Sequence, residues 1–126
     1  MRSIVKKIVR AFVALALALT ATLGLSACAT EKVDMATVAA VIDVRTPAEF
    51  TSGHLEGALN FDIQGMSFAD EIAALDPDGT YLVYCRSGSR AAAAVEAMKS
   101  IGIDNVTNLG SVNDALSATD LALVTG

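Results

Sequence analysis

Residues Tyr81–Gly102 read YLVYCRSGSRAAAAVEAMKSIG, and the order of events along this stretch decides the fold. Tyr81–Tyr84 is a short apolar run, aromatic and β-branched, of the kind that forms a buried strand. It runs directly into Cys85. After the loop Arg86–Ser89, residues Ala91–Ile101 are rich in Ala with Glu, Met and Lys, all strong helix formers, and Gly102 supplies the stop. A strand therefore ends on a cysteine one short loop before a helix.

The same alternation continues outward. Upstream, Ala39–Val44 (AAVIDV) is a second buried strand, ending abruptly in charge and proline. Thr46-Pro47-Ala48-Glu49 has the pattern of a capping box with Pro at the first helical position. Phe50 gives that short helix an apolar contact, and Gly53 ends it. Ala58–Ile63 alternates as a strand should, and Ser67 is placed to cap a helix through Leu75, with Phe68, Ile72 and Leu75 on one face. Asp76-Pro77-Asp78-Gly79 is a turn. Downstream, Val106–Leu109 reads as a last strand and Val112–Ala118 as a short terminal helix. Strands alternating with helices predict an α/β domain with a mainly parallel sheet. In such sheets ligands bind in the crevice beyond the carboxyl ends of the strands, which is where Cys85 falls.

The chemistry of Cys85-Arg86-Ser87-Gly88-Ser89-Arg90 follows from its position. A thiol becomes a nucleophile when its thiolate is stabilised, and helix N-termini and nearby Arg residues both do this. A small glycine-containing turn lets successive backbone N–H groups converge as an anion nest. Arg86 and Arg90 add local positive charge. The plainer alternative is a buried apolar cysteine that ends a core strand. A loop with two Arg and one Gly is a poor core wall, which favours the reactive reading.

Three segments, in order, carry a resemblance. Val41-Ile42-Asp43-Val44-Arg45, Pro47-Ala48-Glu49-Phe50 and Gly53-His54-Leu55-Glu56-Gly57-Ala58-Leu59-Asn60 together resemble the first rhodanese signature. Tyr84–Arg90 resembles the rhodanese active-site loop, and Gly102–Val106 the segment leading into the last strand. The resemblance implies a rhodanese-like α/β fold, with a central, mainly parallel five-stranded sheet and helices on both faces. It implies sulfurtransfer by double displacement, needing no metal and no organic cofactor. Cys85 would be the catalytic nucleophile and carry sulfur as a persulfide. Arg86, Ser87, Gly88, Ser89 and Arg90 would bind the substrate. The expected partners are a small sulfur-containing anion such as thiosulfate as donor, and a thiol or cyanide as acceptor. His54, the only histidine, reads as structural, and Asp43 and Arg45 as braces for the strand end and the Glu49 helix.

The sequence departs from the family at two places. The segment before Val41 is shorter than usual, so an abbreviated first strand and helix are expected. After Leu109 the family commonly shows paired glycines and a Trp, whereas this chain has Gly110-Ser111 and no Trp. Two rival functions remain to be weighed. One is a non-catalytic rhodanese-fold binding module at the cell envelope, against which the intact Cys85 argues. The other is a cysteine phosphatase or arsenate reductase. Phosphatases place one more residue between Cys and Arg than separates Cys85 from Arg90, and the tighter loop suits one sulfur atom better than a tetrahedral oxyanion.

At 126 residues the chain has room for one domain. Its first ten residues carry Arg2, Lys6, Lys7 and Arg10 and no acid, and Ala11–Leu25 is apolar and uncharged, the pattern of a secretory signal. Leu25-Ser26-Ala27-Cys28 resembles the bacterial lipobox, which implies cleavage before Cys28 and lipidation of its thiol. Each buried CH₂ contributes roughly 0.8 kcal/mol, so two or more acyl chains hold firmly where one does not. Cleavage after Ala29 at an A-x-A site, or retention of the segment as an uncleaved anchor, are the alternatives. The expected organisation is a lipoprotein signal peptide over 1–27, a lipidated N-terminus and tether over 28–34, and a rhodanese-like domain over 35–126. The expected location is exported and lipid-anchored at the cell membrane or envelope, with the domain outside the cytoplasm. From Cys28 onward five basic residues face fourteen acids, a balance of −9. Such a domain repels nucleic acid, and no nucleic-acid partner is expected.

Overall fold

The computed structural model describes residues 31–126. Four parallel strands form the central sheet: β1 (Ala40–Asp43), β3 (Leu59–Asn60), β4 (Tyr81–Tyr84) and β5 (Val106–Gly110), in the order β3-β1-β4-β5. Ile42 lies opposite Leu59 on one side and Val83 on the other, and Val83 opposite Asn108. The two central strands are buried throughout, apart from partly covered Ala40, which explains why AVID and YLVY read as near-continuous apolar runs.

The pleat divides the core in two. Ile42, Val44, Tyr81, Val83, Cys85 and Val106 face one way. They pack against Phe68 and Ile72 of α2 (Phe68–Ala73) and Ala91, Ala94 and Met98 of α3 (Ser89–Ser100). Val41, Leu82 and Tyr84 face the other way, against Ala115 of α4 (Val112–Thr119) and Leu55 of β2 (His54–Leu55). Each fully buried Val, Ile or Leu contributes about 1.5–3 kcal/mol, so neither face is dispensable. Helices thus cover both faces, as expected of the α/β class.

The sheet has four strands where five were expected. Ahead of β1 the chain makes a 3₁₀ turn at Met35–Thr37, capped by the Asp34 side chain, instead of adding a strand. Val33 donates its backbone N–H to Ala118 O at 2.9 Å, so the chain is already held to α4 at that point. A separate antiparallel pair joins β2 to β6 (Leu123–Val124). The alternating stretch Ala58–Ile63 contributes only Leu59–Asn60 to the sheet.

Local signals in the sequence had physical counterparts. Thr46 and Glu49 form a complete capping box at the start of α1 (Pro47–Ser52), with Pro47 at its first turn. Ser67 behaves otherwise: its hydroxyl donates to Glu71 Oε1 at 3.2 Å and makes no backbone cap. Among the described residues no helix is long and apolar enough to cross a membrane. The expected signal peptide and Cys28 lie outside the described residues.

Candidate active site

Cys85 stands at the carboxyl end of β4, the second of the two central strands, and its loop leads into α3. Its backbone N–H donates to Gly110 O at 3.0 Å, which continues the ladder with β5 and fixes where the side chain starts. The side chain turns under its own loop and is 0% exposed. Gly88 N–H donates to Sγ at 2.8 Å. Burial by itself would push the thiol up, since it penalises the charged form. The backbone N–H groups of Ala91, Ser87, Gly88 and Arg90 outweigh it and hold the thiol below its ordinary value. This nest stabilises a thiolate, and the Arg90 charge couples favourably to it as well.

Gly88 is what allows the loop to close. Its φ of +96° lies in the left-handed region, and a Cβ there would come within 3.2 Å of Gly110 Cα. A side chain is disfavoured by the backbone conformation and crowded by the neighbouring strand. Gly110 is likewise left-handed, at φ +88°.

The two arginines of the loop have separate fates. Arg90 presents its guanidinium to Glu49, with Nη1 to Oε2 at 2.8 Å and Nη2 to Oε1 at 2.9 Å. Its backbone, however, belongs to the sulfur nest. Arg86 is exposed and has no carboxylate partner among the described residues. The Ser87 and Ser89 hydroxyls lie 3.2 Å apart and pair with each other. Arg86 is therefore the loop's uncommitted positive charge, in a domain whose balance is strongly acidic.

Beneath the site lies a buried polar frame. Arg45 grips Asp43 through Nε (2.9 and 3.1 Å) and Nη2 (2.6 Å), and Nη2 also donates to Gly53 O at 2.6 Å. Asn60 Nδ2 donates to the carbonyls of Asp43 and Arg45, closing β3 onto the end of β1. The Tyr84 hydroxyl accepts the Leu55 N–H at 3.0 Å, and burial drives its ionisation far above the usual range. His54 stacks on Phe50 at 3.6 Å, and its Nδ1 lies 2.8 Å from Phe50 O, a structural position at the end of α1. Among the described residues no three His, Cys, Asp or Glu side chains gather as a metal site.

Two contributions escaped the sequence reading, the second role of Glu49 and that of Asn108. Glu49 serves the capping box and Arg90 together, across 41 positions of chain. Asn108 Nδ2 donates to Gly88 O at 3.0 Å, and its Oδ1 accepts Gly110 N–H at 2.8 Å. The available signal for Asn108 was an amide residue and a glycine near the end of a predicted strand, where β-propensity is low.

An α/β domain with a lone cysteine, held in a backbone anion nest beyond a central parallel strand, is the class of protein defined by this geometry. Comparison with known proteins names the family. Residues 27–115 match the rhodanese-like domain, and the chain belongs to that family. It is 32% identical over 73 residues to the thiosulfate sulfurtransferase PspE of Escherichia coli, covering 58% of this chain and 70% of that protein. It is 34% identical over 70 residues to the probable adenylyltransferase/sulfurtransferase MoeZ of Mycobacterium tuberculosis, covering 56% of this chain but only 18% of that much longer one. Among solved structures, a rhodanese with anions from E. coli superposes with a TM-score of 0.58 at 29% identity, over 69% of this chain and 98% of that one.

Proposed function

We propose that this protein is a sulfurtransferase that moves sulfane sulfur through a Cys85 persulfide. The Cys85 thiolate attacks the outer sulfur of thiosulfate. The S–S bond of the donor breaks, its electron pair leaves on sulfite, and the persulfide anion stays on Sγ. A thiolate acceptor, or cyanide in an assay, then attacks the outer persulfide sulfur and returns Cys85 as thiolate. The observation that carries this reading is the Gly88 N–H donating to Sγ at 2.8 Å from a loop whose backbone N–H groups hold the thiol low despite its burial. The same nest suits a persulfide anion, and the named sulfurtransferase relatives support the reading. Because Cys85 is covered by its loop, a small donor with a terminal sulfur suits it better than a bulky one. In this reading Arg86 meets that anion, Gly88 acts through its backbone, Arg90 through its backbone and its charge, and Ser87 and Ser89 line the turn. Thiocyanate formation from thiosulfate and cyanide tests the proposal. It is expected in the wild type and lost in Cys85→Ala; a catalytically silent wild type would leave a binding module.

We further propose that the domain works outside the cytoplasm, tethered to the cell membrane. Support comes from the basic and then apolar N-terminus and from the Leu25–Cys28 pattern, with Cys28 as the lipidated residue. Acylation of Cys28 would also leave Cys85 without an intramolecular disulfide partner in an oxidising compartment, since the chain has two cysteines in all.

A further inference from the structure

Asn108 sits on the edge strand β5 and is an exposed residue. Both ends of its amide are nonetheless used, and their orientation is dictated by the partners. Gly110 can offer only a backbone N–H and Gly88 only a carbonyl at these contacts, so Oδ1 must face the first and Nδ2 the second. The strand is bulged at this point: Val83 pairs with Asn108, but the next residue, Tyr84, pairs with Gly110. Bulges beside a site re-aim the groups around them. Here the bulge turns the Gly110 carbonyl toward the Cys85 N–H, at 3.0 Å.

The contacts close a ring. Cys85 N–H donates to Gly110 O, Gly110 N–H to Asn108 Oδ1, Asn108 Nδ2–H to Gly88 O, and Gly88 N–H to Cys85 Sγ. Every link except Asn108 is main chain or the nucleophile itself. Gly88 is also pressed against Gly110, its missing Cβ leaving room for a close approach of the two backbones. We infer that Asn108 is a positioning residue for Cys85, holding Gly88 by its carbonyl so that the Gly88 N–H stays aimed at the sulfur. The Asn108 side chain bonds to Gly88 and Gly110 and not to the sulfur, so it acts through Gly88.

This inference rests on the reading of Cys85 as the nucleophile, and one experiment separates the two. The rate of Cys85 alkylation by iodoacetamide is followed against pH in the wild type, in Asn108→Leu and in Asn108→Asp. Asn108→Leu has similar bulk and no charge, and removes both contacts. Asn108→Asp keeps the acceptor for Gly110 and loses the donor to Gly88. Both variants should shift the midpoint of the profile upward by about half to one pH unit, the size expected for one weakened hydrogen bond to a thiolate. The shift in Asn108→Asp should persist in 1 M salt, where a through-space charge effect is screened. If either folded variant keeps the wild-type midpoint, or if the Asn108→Asp shift vanishes in salt, the positioning role is overturned. Should Asn108→Leu fail to fold, Asn108→Asp decides alone. A wild-type midpoint no lower than that of an ordinary thiol would instead overturn the reading of Cys85.

Discussion

Glu49 and Arg90 meet as a two-pronged ion pair, carboxylate to guanidinium at 2.8 and 2.9 Å, that joins the start of α1 to the start of α3. Glu49 Oε2 also accepts from the Thr46 N–H at 3.0 Å, so one carboxylate completes a helix cap and holds the end of the Cys85 loop. Arg90 is the chief cause that draws the Glu49 carboxyl down to about 2 from an ordinary 4.5. The geometry makes α1 part of the site although none of its residues reaches the sulfur.

Glu49→Gln should therefore destabilise the domain at neutral pH by about 1–2 kcal/mol, a modest value because the side chains are 24% and 29% exposed and partly screened by solvent. A carboxyl depressed in the folded state gives stability that is present above its unfolded pKa and lost as pH falls through the folded one. The gap between wild type and variant in urea unfolding should thus narrow from about pH 4.5 down to about pH 2. A gap that stayed constant through that window would remove the ion pair as its cause.

Gly88→Ala should cost both stability and reactivity. The new Cβ would sit in a left-handed backbone position and within 3.2 Å of Gly110 Cα. Strain of this kind costs about 1–3 kcal/mol. Relief by the loop swings the Gly88 N–H away from Sγ, so the midpoint of Cys85 alkylation should rise along with the loss in thermal stability. A less stable protein with an unchanged midpoint would show that the nest does not depend on Gly88.

Much of this was legible because it is local. YLVY declared a central strand, Thr46 and Glu49 declared a helix start, and the loop from Cys85 to Arg90 declared an anion nest within six residues. What stayed hidden depends on chain segments far apart. The second task of Glu49 appears only when Arg90 is brought to it, and Asn108 gains meaning only against Gly88, 20 positions away. The pairing of His54–Leu55 with Leu123–Val124 is equally silent in the sequence, because two-residue strands carry no periodicity. The missing fifth strand has a different origin: the short lead into β1 is spent on a 3₁₀ turn capped by Asp34.

Arg86→Ala should weaken donor capture more than discharge. Thiosulfate arrives as a dianion, whereas a thiol acceptor can arrive neutral, and Arg86 is the loop cation without a carboxylate partner among the described residues. Losing a charge-assisted contact of about 1.5–3 kcal/mol corresponds to a roughly ten- to hundredfold fall in kcat/KM for thiosulfate. Stopped-flow measurement of persulfide formation and discharge, each at low and high salt, separates the halves. Equal losses in both would show that Arg86 does not steer the anion.

Cys28→Ser should release the protein from membranes or leave its precursor uncleaved, as followed by fractionation and gel mobility in the expressing cell. Normal processing with unchanged membrane retention would count against lipidation at Cys28.

The central claim is that Cys85 carries the sulfur, and intact mass spectrometry of the purified protein after incubation with thiosulfate tests it most directly. The wild type should gain the mass of one sulfur atom, lose it on adding a thiol, and Cys85→Ala should gain nothing. No gain in the wild type, or a gain that persists in Cys85→Ala, would contradict the claim.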